Sequence, residues 1–190
     1  MTKLAEIHVE NALAPRFGRG WHCLGEADEY RDGKLHTLNI FGSRLLAYAT
    51  SKGEISVLDA HCPHMGADLS QGTIENDRVV CPFHHWQYEA SGKCVEIPYC
   101  KRIPPKAKTR AWLTCEVNKL LFVWNNPEGK PPAEDVVIPH LPEMDSDEWL
   151  HSWHLDKMII DTNPRELVDN LVDAQHFGPV HGTPTKYFHN

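Results

Sequence analysis

Two short stretches carry paired metal-binding side chains. In "HCPHMGADLS", Cys62 and His64 flank Pro63, and in "CPFHHWQY", Cys81 and His84 are separated by two residues. Sixteen residues lie between His64 and Cys81. Each half offers one thiolate and one imidazole on a loop stiffened by proline, which cannot continue a sheet ladder. Three readings compete: unrelated buried cysteines and surface histidines, a structural zinc ion with two Cys and two His, and a [2Fe–2S] cluster in which two Cys hold one iron and two His the other. Matched Cys/His pairs argue against the first. The second suits short modules folded by their metal, whereas this pair lies in a long strand-rich region. The third takes the weight.

A second constellation closes the chain, in "DNLVDAQHFGPVHGTPTKYFHN". On a helix turning about 100° per residue, Asp169, Asp173 and His176 fall within roughly 60° of one another. By itself that stripe reads as a solvated face. His181 changes the balance. Gly178-Pro179 is expected to break or kink the helix, because the residue before proline avoids helical angles. His181 is thereby able to fold back toward His176. Two imidazoles and a carboxylate form the facial set of non-haem Fe(II) sites, which leaves positions open for O₂. No carboxylate follows His181 in the nine residues that remain.

Strands must position the first constellation. "LHTLNIF", "SRLLAYAT", "EISVLDA", "DRVVCPF" and "KLLFVW" are short apolar or alternating runs. The turn signals "RDGK", "SKGE", "ENDR", "ASGK" and "NPEG" separate them. The expected fold class is mainly β, an antiparallel sandwich or small barrel over residues 21–126 after a lead-in of residues 1–20. Residues 127–148 are rich in proline and acid and read as an extended connector. Residues 149–190 open an α+β domain: a strand-like segment from Trp149 to Ile160, then a helix. Asn163 is its expected cap, Pro164 suits its first turn and Glu166 has capping-box spacing.

The bulk numbers exclude several roles. Of 190 residues, 41% are apolar and 24% charged, enough to bury a core. A net charge of −7 argues against nucleic acid and anionic membrane surfaces as partners. "MTKLAEIHVENALAPR" lacks the apolar core of a signal peptide, and the longest apolar run, Leu120 to Trp124, cannot span a bilayer. The expected location is cytoplasmic, where six cysteines are not a disulfide framework. Cys23, Cys94, Cys100 and Cys115 have no paired spacing and are expected to be small buried residues. His61 and His85 adjoin the ligand positions but fall outside the spacing and are read as non-ligands. Trp86 is expected to pack beside the second loop as core.

The first constellation matches the Rieske motif, C-x-H followed after about sixteen residues by C-x-x-H. "CPHMGADLS" and "CPFHHWQY" resemble the loops of Rieske non-haem iron oxygenases, and Asp173, His176 and His181 match that family's D-x-x-H-x-x-x-x-H. The resemblance implies that Cys62 and Cys81 hold the inner iron of a [2Fe–2S] cluster and that His64 and His84 hold the outer, near the surface. It implies that His176 and His181 ligate a mononuclear Fe(II). Asp173 is then a bridging acid between an iron-ligand histidine and a cluster histidine of a neighbouring subunit, in a homotrimer. Asp169 matches a polar position four residues earlier. The third ligand, a carboxylate, is expected beyond residue 190, so the resemblance covers the N-terminal half of such an enzyme and the chain is expected to be inactive alone. "RGWHCLG", "PYCKRIPPKAKTRAW" and "LLFVWNNPEGKPP" resemble the group holding 3-ketosteroid 9α-hydroxylase oxygenases and cholesterol-desaturase-type enzymes. This implies an NAD(P)H-dependent reductase as partner and O₂-dependent hydroxylation of a hydrophobic ring substrate such as a 3-ketosteroid. The alternative is a Rieske ferredoxin-like carrier with an inert tail.

Overall fold

The computed structural model describes residues 17–150, 152–154, 158 and 160–183. Its strands are β1 (Gly20–Glu26), β2 (His36–Ile40), β3 (Ser43–Ala49), β4 (Ile55–Asp59), β5 (Thr73–Glu75), β6 (Arg78–Val80), β7 (Gln87–Tyr88), β8 (Cys94–Glu96), β9 (Ala111–Trp112), β10 (Thr114–Val117) and β11 (Leu120–Asn125). They form three antiparallel sheets, ordered β1-β11-β10, β2-β3-β4-β9 and β5-β6-β7-β8. The mainly β, antiparallel expectation holds, and the apolar runs become β2, β3, β4, β6 and β11.

Three hairpins turn through two residues that are both left-handed: Phe41-Gly42, Asn76-Asp77 and Asn118-Lys119. This primed geometry matches the natural twist of paired strands. The β5–β6 turn matters most for the site, because it returns the chain toward Cys81. Asp77 also accepts bonds from the Ser51 backbone N–H and hydroxyl at 2.6 and 2.7 Å, which ties that turn to the one following β3.

Alternation along β3 and β4 divides the interior into two cores. Leu46, Tyr48 and Leu58 pack with Leu69, Val79, Trp86, Tyr88 and the two cysteines Cys62 and Cys81. Leu45, Ala47 and Val57 face the other way, toward Tyr30, Trp112, Leu121 and Val123. The thiols of the first constellation are thus part of a hydrophobic core, not of a surface loop.

The proline-rich connector lies along the β region. The Trp21 indole N–H donates to Val136 O, Trp124 to Lys130 O, and Asn118 bonds both Pro139 O and Leu141 N. Trp153 donates to Asn118 O at 2.7 Å. The chain divides into two compact units, Met1–Trp153 and His154–Asn190. Among the described residues of 149–160 none lies in a strand, which departs from the expected strand-like segment; the others of that stretch lie outside the described residues. In the second unit, α1 (Pro164–Val172) is capped by Asn163, whose side chain accepts from Arg165 N at 2.9 Å. A short helix, α2 (Phe177–His181), follows. Among the described residues no helix is long and apolar enough to cross a membrane.

Candidate metal centres

The two Cys/His loops are built on one hydrogen-bond frame. In the first, Cys62 O accepts from Gly66 N at 2.8 Å and Cys62 N donates to Ala67 O at 2.9 Å. In the second, Cys81 O accepts from His85 N at 3.0 Å and Cys81 N donates to Trp86 O at 2.9 Å. Both frames close with a left-handed residue four positions after the cysteine: Gly66 at φ 73° and His85 at φ 58°. His85 thus does in the second loop the backbone work that Gly66 does in the first. It occupies the turning position and is exposed. His61 is exposed as well, in a bridge to Asp68.

Each loop is anchored where it leaves the core. Asp68 ends the first one, accepting from Ser70 N, the Ser70 hydroxyl and Arg44. Gly72 follows; a Cβ there would stand 2.0 Å from Val80 O, so only glycine lets the chain pass the strand leading to Cys81. The second loop runs directly from β6 into β7.

The loops bring their side chains together by type. Cys62 and Cys81 are buried side by side at the floor. Burial raises the Cys81 thiol above its ordinary range, against the backbone N–H groups of Phe83 and His84, which favour its thiolate; neighbouring Cys62 raises it further. The Tyr88 hydroxyl lies 3.1 Å from Cys62 Sγ. His64 and His84 are half-buried above, with ring centroids 4.5 Å apart. Nδ1 of His84 is buried and has no hydrogen-bond partner. A buried ring nitrogen without a partner is costly unless it has another role, and metal ligation is one. Among the described residues no three His, Cys, Asp or Glu side chains form a single-ion site. One zinc ion would draw four ligands to one point, whereas a two-iron cluster takes them as two pairs. The residues fit the latter.

The second constellation is assembled differently from the expected helix stripe. α1 ends at Val172, and Asp173 is its C-cap with φ −80° and ψ 88°. The Asp173 carboxylate accepts from Gln175 N at 3.0 Å, a local turn that competes with continued helix. Pro179 does not break a helix either. It sits in the first turn of α2, where its missing N–H is not needed, and Val180 N donates to His176 O at 2.9 Å. His181 does turn back: its ring lies 5.2 Å from that of His176, edge to face. The Asp173 carboxylate is 3.5 Å from His176 Nδ1, which is buried without a well-aligned hydrogen bond. Asp169 lies apart, in an exposed pairing with Arg165 at 3.7 Å.

The remaining cysteines divide. Cys94 is buried and Cys115 half-buried, but Cys23 and Cys100 are exposed, contrary to the expectation of burial; none of the six is in a disulfide. Cys23 is exposed beside the register shift in β1 between Cys23 and Gly25, and Cys100 lies in an irregular loop. Two contacts lay beyond sequence reasoning: the Tyr88 hydroxyl against Cys62, and Trp86 stacked on His64. The alternation around β7 predicts that Tyr88 points inward but not what it meets.

The fold and paired loops define a Rieske-type domain, and residues 20–107 match the Rieske [2Fe-2S] domain family. Residues 123–190 match the 3-ketosteroid 9alpha-hydroxylase C-terminal domain. The chain is thus similar, over both stretches, to oxygenase components that carry a Rieske domain. It is 49% identical over 189 residues to a 3-ketosteroid-9-alpha-monooxygenase oxygenase component of Rhodococcus rhodochrous, covering 100% of this chain and 48% of the relative. It is 34% identical over 174 residues to cholesterol 7-desaturase nvd 1 of Ciona intestinalis, covering 91% and 36%. Dicamba monooxygenase bound to dicamba superposes with a TM-score of 0.67 at 25% identity, over 86% of this chain and 48% of that one. The chain spans about half the length of the Rhodococcus relative.

Proposed function

We propose that this chain is the electron-accepting part of an oxygenase component that hydroxylates a hydrophobic ring substrate, a 3-ketosteroid or a related sterol, in the cytoplasm. The observation that carries the reading is the pairing of buried Cys62 and Cys81 beneath His64 and His84, with His84 Nδ1 left without a protein partner. Cys62 and Cys81 hold the inner iron, and His64 and His84 the outer. His176 and His181 would contribute two imidazole ligands to a mononuclear iron. When bound, the [2Fe–2S] cluster supplies a one-electron store and the mononuclear iron supplies O₂ activation.

The chain's own residues prepare those sites. The buried thiols exclude water from the inner iron, and the half-buried imidazoles form the electron exit. The Asp173 carboxylate lies 3.5 Å from His176 Nδ1, close enough to orient the ring once a hydrogen bond forms, which would leave Nε2 for an iron. In a homotrimer the same carboxylate would be placed to bridge to His84 of the partner subunit, giving electrons a path between copies. A reductase drawing on NAD(P)H supplies them.

The test pairs the chain, extended to the length of its relatives, with a reductase, NADH and a 3-ketosteroid. Hydroxylated steroid formed in step with NADH consumption supports the activity. No product at full cluster and iron content overturns it.

A further inference from the structure

One side chain stands against the cluster histidines without a place in the ligand motif. The Trp86 indole lies parallel to the His64 imidazole, with planes 9° apart and centroids 4.4 Å apart. Trp86 is 8% exposed, and its Nε1–H donates to the Tyr99 hydroxyl at 2.6 Å. Tyr99 lies beyond β8, outside both cysteine loops, and is itself 62% exposed. The Trp86 carbonyl meanwhile accepts from Cys81 N. The indole is thus fixed by its backbone to one ligand loop, by its face to the other, and by its edge to a third segment. His84 has a looser neighbour. Its ring meets Phe83 at a 35° tilt, and Phe83 is 60% exposed.

We propose that Trp86 and Tyr99 are positioning residues for His64, fixing the plane of its imidazole and biasing the outer iron toward its oxidised state. This rests on the Rieske ligand assignment above. An aromatic face is electron-rich and attracts electron-poor groups. An imidazole on ferric iron is poorer in electrons than the same ring after one electron is added, with no proton moved. The indole face therefore holds the oxidised form more strongly. Donation of the indole N–H to the Tyr99 oxygen adds electron density to the ring and strengthens the same preference. The stack also sets the direction of the His64 ring before any cluster binds.

The experiment uses Trp86→Leu, Trp86→Phe and Tyr99→Phe in the whole chain. Iron and sulfide content, midpoint potential by dye-mediated titration, and the electron paramagnetic resonance of the reduced state are compared. In the apoprotein, the Trp86 indole N–H resonance is followed. Trp86→Leu is expected to shift the oxidised-to-reduced ratio at fixed potential about threefold toward reduced, about 30 mV upward for one electron. Tyr99→Phe moves it in the same direction by less, and Trp86→Phe, which keeps an aromatic face, restores most of it. Tyr99→Phe also shifts the indole resonance in the apoprotein. If Trp86→Leu takes up no cluster, the two milder variants decide. Unchanged potentials and spectra at full cluster content overturn the proposal. A wild-type chain that takes up no [2Fe–2S] cluster overturns the ligand assignment instead, and an unmoved apoprotein resonance overturns the clamp independently.

Discussion

Tyr88 offers a direct handle on the inner iron proposed for Cys62 and Cys81. It is fully buried on β7, with its hydroxyl 3.1 Å from Cys62 Sγ. Burial, and then the adjacent Cys62, hold the phenol far above its ordinary range, so it remains protonated. Either atom can donate in the free thiol, but a cluster-bound thiolate has no proton, which leaves the phenol as donor. Tyr88→Phe keeps the ring in the core and removes only that donor. A hydrogen bond to a charged group is worth about 1.5–3 kcal/mol. An added electron raises the charge on sulfur, and a difference of about 1 kcal/mol between the two oxidation states corresponds to about 40 mV, at about 59 mV per tenfold for one electron. The variant is therefore expected to titrate about 40 mV below the wild type. The assay is spectroelectrochemical titration of both proteins at matched pH, with iron and sulfide quantified. An unchanged or raised potential at equal cluster content would refute the assignment of Tyr88 as a donor to the inner-iron thiolate.

Three further outcomes follow from the loops and their anchors. His85→Gly is expected to stabilise the protein by about 0.5–1 kcal/mol in chemical unfolding without loss of cluster, because His85 holds the left-handed position that Gly66 fills in the first loop; cluster loss would mark His85 as a ligand. Asp173→Asn keeps an oxygen for Gln175 N but removes the charge beside His176, so affinity for Fe(II), measured by competition with a chelator in the full-length protein, is expected to fall 10- to 100-fold by about the cost of losing such a partner. Burial raises the Asp68 carboxyl, but Ser70 and Arg44 outweigh it and hold it below its ordinary value. Its contribution is therefore present above the unfolded value of about 3.9 and is lost as pH falls through the lower folded value. Thermal unfolding of wild type and Asp68→Asn is expected to differ at neutral pH and to converge under strong acid.

The sequence made the first centre legible because its chemistry is local: two Cys/His pairs, each within four residues, on proline-containing loops bounded by short apolar runs. The common frame of the two loops was hidden, since Gly66 and His85 do the same backbone work with unlike side chains. The second centre was legible in composition but not in geometry. Asp173 reads as one more helical position until its carboxylate is seen capturing Gln175 N, and Pro179 reads as a breaker until α2 is seen to restart at Phe177. Proline breaks a continuing helix and suits the start of a new one, and spacing alone does not distinguish the cases. The Trp86–Tyr99 bond joins residues thirteen apart across a β-hairpin and is set by tertiary packing, not by any local pattern.

The central claim is that two cysteines hold one iron and two histidines the other. Pulsed electron paramagnetic resonance on the reduced protein tests it most directly, with wild type compared with His64→Ala and His84→Ala alongside iron and sulfide analysis. About two irons and two sulfides per chain are expected, with coupling to two imidazole nitrogens. Replacing either histidine is expected to abolish the two-nitrogen signal or the cluster with it. Zinc in place of iron, or full cluster content and an unchanged two-nitrogen spectrum in both variants, would contradict it.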